Sequence, residues 1–223
     1  MRHAYDRGVR FFETADSYRG MPQMLATALK GIPRDSYRLM TKFSLRDTAN
    51  PKATIDRLRA DLGADYVDIL LIHCVRSPGW AQEQERLRDE FSEAKAKKVL
   101  LAHGASCHGL QPLRTFPGNR WLDVALMRVN PVGTKMDTMS TRDTDDPGDV
   151  KEVVTHIKAI HGQRTGVLGM KLIGEGQFTN TEQRAASFRF VMGLGSVDAV
   201  TVGFRSPAEI DEAIENMDRA LNS

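Results

Sequence analysis

Val67-Asp68-Ile69-Leu70-Leu71-Ile72-His73 is a short, nearly continuous apolar run that closes on a histidine. A run of this length without strict polar alternation predicts a strand buried on both faces. Ahead of it, residues 54–62 carry Ile55, Leu58 and Leu62 at helical spacing. Behind it, residues 83–97 are long, charged and free of Gly and Pro, which also predicts a helix. The same unit repeats in both directions. Apolar runs recur at 9–12, 38–41, 99–102, 124–129, 166–173 and 199–202, and helix-like stretches at 151–161 and 208–221. Strands alternating with helices at a period of roughly 30 residues predict βα units and a parallel sheet. Seven such strands are one short of a (β/α)8 barrel. The expected fold is therefore α/β, a TIM (β/α)8-type barrel with seven of eight strands, in a single domain over residues 1–223.

Composition narrows the function. The chain has 223 residues with 31 Lys+Arg against 29 Asp+Glu, a net charge of +2, which argues against a nucleic-acid footprint. Two cysteines, Cys74 and Cys107, do not make a disulfide framework. No run approaches the roughly 18 apolar residues that a membrane span needs. The opening Met-Arg-His-Ala-Tyr-Asp-Arg-Gly lacks the apolar core of a signal peptide. A soluble, cytoplasmic protein acting on a small molecule is expected. Residues 134–149, with Asp143, Asp145, Asp146 and Pro147, form the only long polar stretch. They read as a loop over one face rather than a domain boundary.

In parallel α/β folds, chemistry gathers at the carboxyl ends of strands. Here those ends carry Glu13, with Tyr18 five residues on, then Lys42, His73, Ser106 and Asn130. The sixth run contains Lys171, and the seventh leads into Gly203, Phe204, Arg205 and Ser206. A carboxylate, a phenol, an ammonium and an imidazole at one rim make a proton-transfer set. Tyrosine is a weak acid, with a reference pKa of about 10. A neighbouring ammonium strengthens it, and a carboxylate holds that ammonium in place. Histidine orients a carbonyl or assists the transfer.

The stretch Gly8-Val-Arg-Phe-Phe-Glu13-Thr-Ala-Asp-Ser-Tyr18 resembles the signature of the aldo-keto reductase family. Met40-Thr-Lys42 and Asp68-Ile-Leu-Leu-Ile-His73 match the strands that bring the family's lysine and histidine, and residues 57–68 resemble the helix and turn before the latter. Residues 198–212, Asp198-Ala-Val-Thr-Val-Gly203-Phe-Arg-Ser206-Pro-Ala-Glu-Ile-Asp-Glu212, resemble the last strand and the cofactor helix. The resemblance implies an NAD(P)H-dependent oxidoreductase that reduces an aldehyde or ketone to an alcohol. It makes Tyr18 the general acid, Lys42 its activating cation, Glu13 the partner of Lys42, and His73 the substrate-positioning group. It implies cofactor contacts at Ser106, Lys171, Gly203, Arg205 and Ser206, with NADP(H) or NAD(H) as cofactor.

Departures from the family pattern are equally specific. Glu13 stands where the family has aspartate, Cys107 where asparagine or glycine is commoner, and Leu126 where a glutamine contacts the nicotinamide amide. Glu209 and Ala213 replace an arginine and an asparagine at the adenosine end. Ser206-Pro207-Ala208-Glu209 reads as a capping box that opens the last helix beside a cation, a ready anion site. Met1 falls within the helix after the family's first strand, so an opening hairpin and strand are expected upstream, in a longer reading frame. Alternatives to a reductase are a non-catalytic nucleotide-binding or regulatory barrel, or an inactive truncated fragment. Lys171 reads equally as a substrate-side or phosphate-side group or as a solvated strand end. His103, Cys107 and His108 are metal-ligand types without a fourth partner and read as structural. Trp80 either lines a pocket or packs a loop, and Met127, Met170 and Met192 read as core.

Overall fold

The structure, a computed structural model, describes residues 1–46, 48–140 and 144–222; Asp143 of the polar stretch lies outside them. Among the described residues the apolar runs form seven strands: β1 (Phe11–Glu13), β2 (Arg38–Ser44), β3 (Val67–Val75), β4 (Leu100–Cys107), β5 (Val124–Arg128), β6 (Gly166–Met170) and β7 (Ala199–Val200). Helices alternate with them: α1 (Arg2–Asp6), α2 (Met21–Leu29), α3 (Pro51–Asp61), α4 (Trp80–Glu83), α5 (Glu85–Ala96), α6 (Leu110–Leu113), α7 (Val150–Gly162), α8 (Thr181–Gly193) and α9 (Pro207–Leu221). Strand order follows chain order, the arrangement of a (β/α)8-type barrel, here with seven strands.

By internal contacts the chain divides into two compact units, Met1–Cys74 with Gly79–Ser106, and Val75–Pro78 with Cys107–Ser223. In the first unit β1 pairs with β2 and β2 with β3, all parallel. Met40, Phe43, Leu71, Ile72 and Phe91 have no solvent exposure, which accounts for runs without polar alternation. Asn50 caps α3, its side chain accepting from Ala53 N at 3.2 Å, and Pro51 takes the first helical position, where no N–H is required.

In the second unit β5, β6 and β7 pair in parallel. Gly169 lies mid-strand because a Cβ there would meet Val129, Val197 and Val200 at 3.2 to 3.4 Å. α8 and α9 are joined by a bidentate pair from Arg184 to Glu212, at 2.7 and 2.9 Å. The described residues of the polar stretch, 134–140 and 144–149, form no helix or strand, as its composition predicts. It folds back on itself through Gly148 N donating to Gly133 O at 2.9 Å. A Cβ at Gly133 would come within 2.4 Å of that glycine's carbonyl oxygen, so the approach requires glycine there.

The differences from expectation are local. The helix expected over 83–97 is broken at Gln84 into α4 and α5. β2, β3 and β4 run three to five residues further than their apolar cores, so Lys42, His73 and Ser106 lie within strands. Trp80 is 1% exposed inside α4, which assigns it to packing rather than to a pocket wall. α2 and α8 were not expected from hydrophobic spacing. No helix among the described residues is long and apolar enough to cross a membrane.

Candidate active site

Parallel register puts the chemistry on one face. Glu13 pairs with Met40, Lys42 with Leu71, and Ser44 with His73. Side chains alternate along a strand, so the Met40-Lys42-Ser44 face of β2 is shared with Glu13 on β1 and with Leu71 and His73 on β3. After β1 the chain continues along β2, with Thr14 N donating to Met40 O at 3.0 Å and Asp16 N to Lys42 O at 3.2 Å. Asp16 then accepts from Ser44 N at 2.9 Å. These bonds lock the turn that delivers Ser17 and Tyr18 to the rim.

Lys42 is 2% exposed, and a buried ammonium needs a counter-charge. Glu13 supplies it in a direct ion pair. The expected pairing thus forms with glutamate in place of the family's aspartate. The Lys42 ammonium sits 4.8 Å from the centre of the Tyr18 ring. The Tyr18 and His73 rings meet edge to face, with centroids 5.9 Å apart at 83°. Tyr18 itself is 41% exposed, so the group at the centre of the cluster is open to a reactant. Burial, reinforced by the Lys42 charge, pushes the pKa of His73 down to about 4. The imidazole is therefore neutral near pH 7, and its Nδ1 lies 3.4 Å from Ser17 Oγ.

The remaining candidates occupy different settings. Ser106 is buried at the end of β4, where its Oγ accepts from Cys74 N at 2.7 Å. Cys74 adopts a left-handed conformation (φ 62°) directly after His73, so Ser106 secures the bend near the end of the histidine strand. In the second unit Lys171 follows β6 and pairs with Glu175 at 2.8 Å. Asn130 is buried and used structurally, its side chain donating to Thr134 O and Lys171 O. Gly203 and Arg205 are exposed ahead of α9. Ser206 caps that helix by accepting from Glu209 N at 3.3 Å, while Glu209 reaches one residue further than a capping box requires and accepts from Arg205 N at 2.7 Å. Among the described residues no group of His, Cys, Asp and Glu could hold a metal ion, His103, Cys107 and His108 included.

The sequence model of the aldo/keto reductase family matches residues 1–97, which include Glu13, Tyr18, Lys42 and His73. The match covers 97 of the 223 residues, and over that part the chain resembles the aldo-keto reductase family. Solved structures extend the likeness of fold beyond those residues. An aldo-keto reductase from Bacillus halodurans in its holo form superposes with a TM-score of 0.77 at 14% identity, over 97% of this chain and 79% of its own. A candidate aldo-keto reductase from Pseudomonas aeruginosa gives 0.78 at 19% identity, over 98% and 81%. One from Klebsiella pneumoniae, in complex with NADPH, gives 0.72 at 13% identity, over 97% and 77%. Asp16 and Ser17 carry no periodic signal in the sequence; their contacts depend on the turn after β1.

Proposed function

We propose that the protein reduces an aldehyde or ketone to an alcohol at the expense of a reduced nicotinamide dinucleotide, with Tyr18 as the general acid. The observation that carries this reading is the placement of a buried, glutamate-paired ammonium against the ring of an exposed tyrosine, with a neutral histidine at the ring's edge. When bound, the nicotinamide supplies the hydride that forms the new C–H bond. Tyr18 donates its hydroxyl proton to the carbonyl oxygen as negative charge develops there. The Lys42 cation stabilises the phenolate left behind, and Glu13 keeps that cation fixed and compensated. With Ser17 donating to Nδ1 of His73, the ring presents Nε2–H to the same carbonyl oxygen and orients it. Solvent returns the proton to Tyr18 through its exposed side.

The residues ahead of α9 suit the cofactor's diphosphate. Arg205 is an exposed cation beside the N-terminus of a 15-residue helix, and a Cβ on Gly203 would meet nothing within 4 Å, which leaves room for a ligand. Ser106 would meet the carboxamide through the hydroxyl proton it retains. Lys171, already paired with Glu175, would contribute less charge to a phosphate. NADP(H) is the first choice, as in the Klebsiella pneumoniae structure. The Glu209 carboxylate in the first turn of α9 favours NAD(H) as the second. A ratio of dissociation constants for NADPH and NADH separates the two.

Replacing Tyr18 with Phe should cut aldehyde turnover by about 10²- to 10⁴-fold, the range for loss of a general acid. The affinity for reduced nicotinamide, followed by its fluorescence, should stay unchanged. Turnover that survives Tyr18→Phe would remove the assigned acid. A non-catalytic nucleotide-binding barrel is the second reading, favoured by Leu126 where the family places a glutamine. It expects cofactor binding with no turnover across a panel of aldehydes.

A further inference from the structure

A second polar constellation lies wholly within the Val75–Pro78, Cys107–Ser223 unit. Arg76 directly follows β3, His108 directly follows β4, and Arg128 closes β5; His108 N donates to Val75 O at 3.0 Å. These three side chains, with Thr138, Ser140 and Thr144 from the loop after β5, line a small, partly open pocket. Arg128 is 6% exposed, a rare place for a guanidinium. Its Nε lies 3.8 Å from Oδ1 of Asp137, which is itself buried and accepts from Gly109 N at 2.7 Å. Asp137 fixes the guanidinium from behind without lining the pocket.

Arg128 Nη2 also bonds Nδ1 of His108. A guanidinium only donates, so Nδ1 is the acceptor and the ring carries its proton on Nε2. The side chains lining the pocket are thus two guanidiniums, an imidazole N–H donor, three hydroxyls and the Met136 thioether. Among the described residues no carboxylate lines it. A donor-rich, acceptor-poor lining with planar guanidinium forks matches a carboxylate or a phosphate.

We propose that this pocket binds an oxyanion, the carboxylate or phosphate group of a small molecule. Calorimetric titration of the intact protein with inorganic phosphate and with malonate, at constant ionic strength, should show saturable binding of at least one. Arg76 is half-buried in a connecting loop, so Arg76→Gln should leave the melting temperature unchanged and weaken that binding at least tenfold. Arg76→Lys, which keeps the charge but loses the fork, should weaken it less. Absence of saturable binding by either anion, or equal affinity in Arg76→Gln, overturns the proposal. A second arm identifies the source of the anion and rests on the reductase reading, using paired aldehydes with and without a terminal carboxylate. If the ligand is the substrate's own anionic group, Arg76→Gln raises KM for the carboxylate-bearing aldehyde alone. If it is a separate molecule, both KM values stay put while phosphate or malonate affinity still falls. Calorimetry needs no turnover, so failure of the pocket and failure of the reductase reading are distinguishable.

Discussion

At His73, desolvation and the Lys42 ammonium act in the same direction and hold the imidazole pKa down to about 4, against an ordinary value of 6.5. The unfolded chain therefore binds this proton more readily, and the histidine's contribution to stability is fully present above about pH 6.5. It falls as pH drops from there towards 4, and by pH 4 most of a term on the order of 3 kcal/mol is gone. Denaturant midpoints of the wild type and of His73→Gln, measured at pH 7 and at pH 4.5, should converge at the lower value; a parallel decline would contradict the assignment. Glu13 tests the other half of the cluster. Glu13→Gln leaves the Lys42 ammonium buried without its counter-charge, which should cost near the lower end of roughly 3–5 kcal/mol because the carboxylate is partly exposed. Glu13→Asp should lose much less, since the charge survives. These roles were legible in the sequence as residue types at strand ends. Ser17 and Asp16 were not, because they act only once the turn after β1 has folded against β2 and β3.

Strands read from apolar runs were right in type but not in extent: the runs stop short of the ends of β2, β3 and β4 and overrun β5, β6 and β7. β3 and β4 continue through His73, Cys74, Ser106 and Cys107 because backbone pairing, not side-chain polarity, decides where a strand stops. The bend at Cys74 depends on the Ser106 hydroxyl accepting its N–H. Ser106→Ala should cost about 1–3 kcal/mol by orphaning that donor, and it should raise the rate of amide exchange at Cys74. Unchanged exchange would mean another group takes over. The start of α9 was visible as Ser206-Pro207 with a glutamate three residues on, and the cap forms. Ser206→Ala should lower stability by about 1 kcal/mol and weaken the binding of nicotinamide dinucleotides. α8 escaped notice for a physical reason. Its buried residues Ala185, Ser187, Phe188 and Val191 include a serine whose hydroxyl donates to Leu172 O, so the inward face is not a plain apolar stripe.

At the scale of the molecule, seven apolar runs in a βα rhythm were enough to read the fold class, since each strand pairs in chain order and needs no long-range information to be placed. The Arg76, His108 and Arg128 pocket was not readable in the same way. It depends on Asp137 meeting Gly109 and Arg128 across 28 and 9 residues of sequence, contacts that no local pattern encodes. Arg128 did leave a trace, as a lone charge inside an apolar run. The residues proposed for the cofactor are likewise far apart in sequence, Ser106 in β4 and Gly203, Arg205 and Ser206 ahead of α9. Hydride transfer to a carbonyl is tested by reduced nicotinamide dinucleotide deuterated at the transferring carbon, offered with a panel of aldehydes. Deuterium appearing on the carbinol carbon of the alcohol product, and disappearing with Tyr18→Phe, is the predicted result. Bound cofactor with no deuterated alcohol from any aldehyde would contradict it.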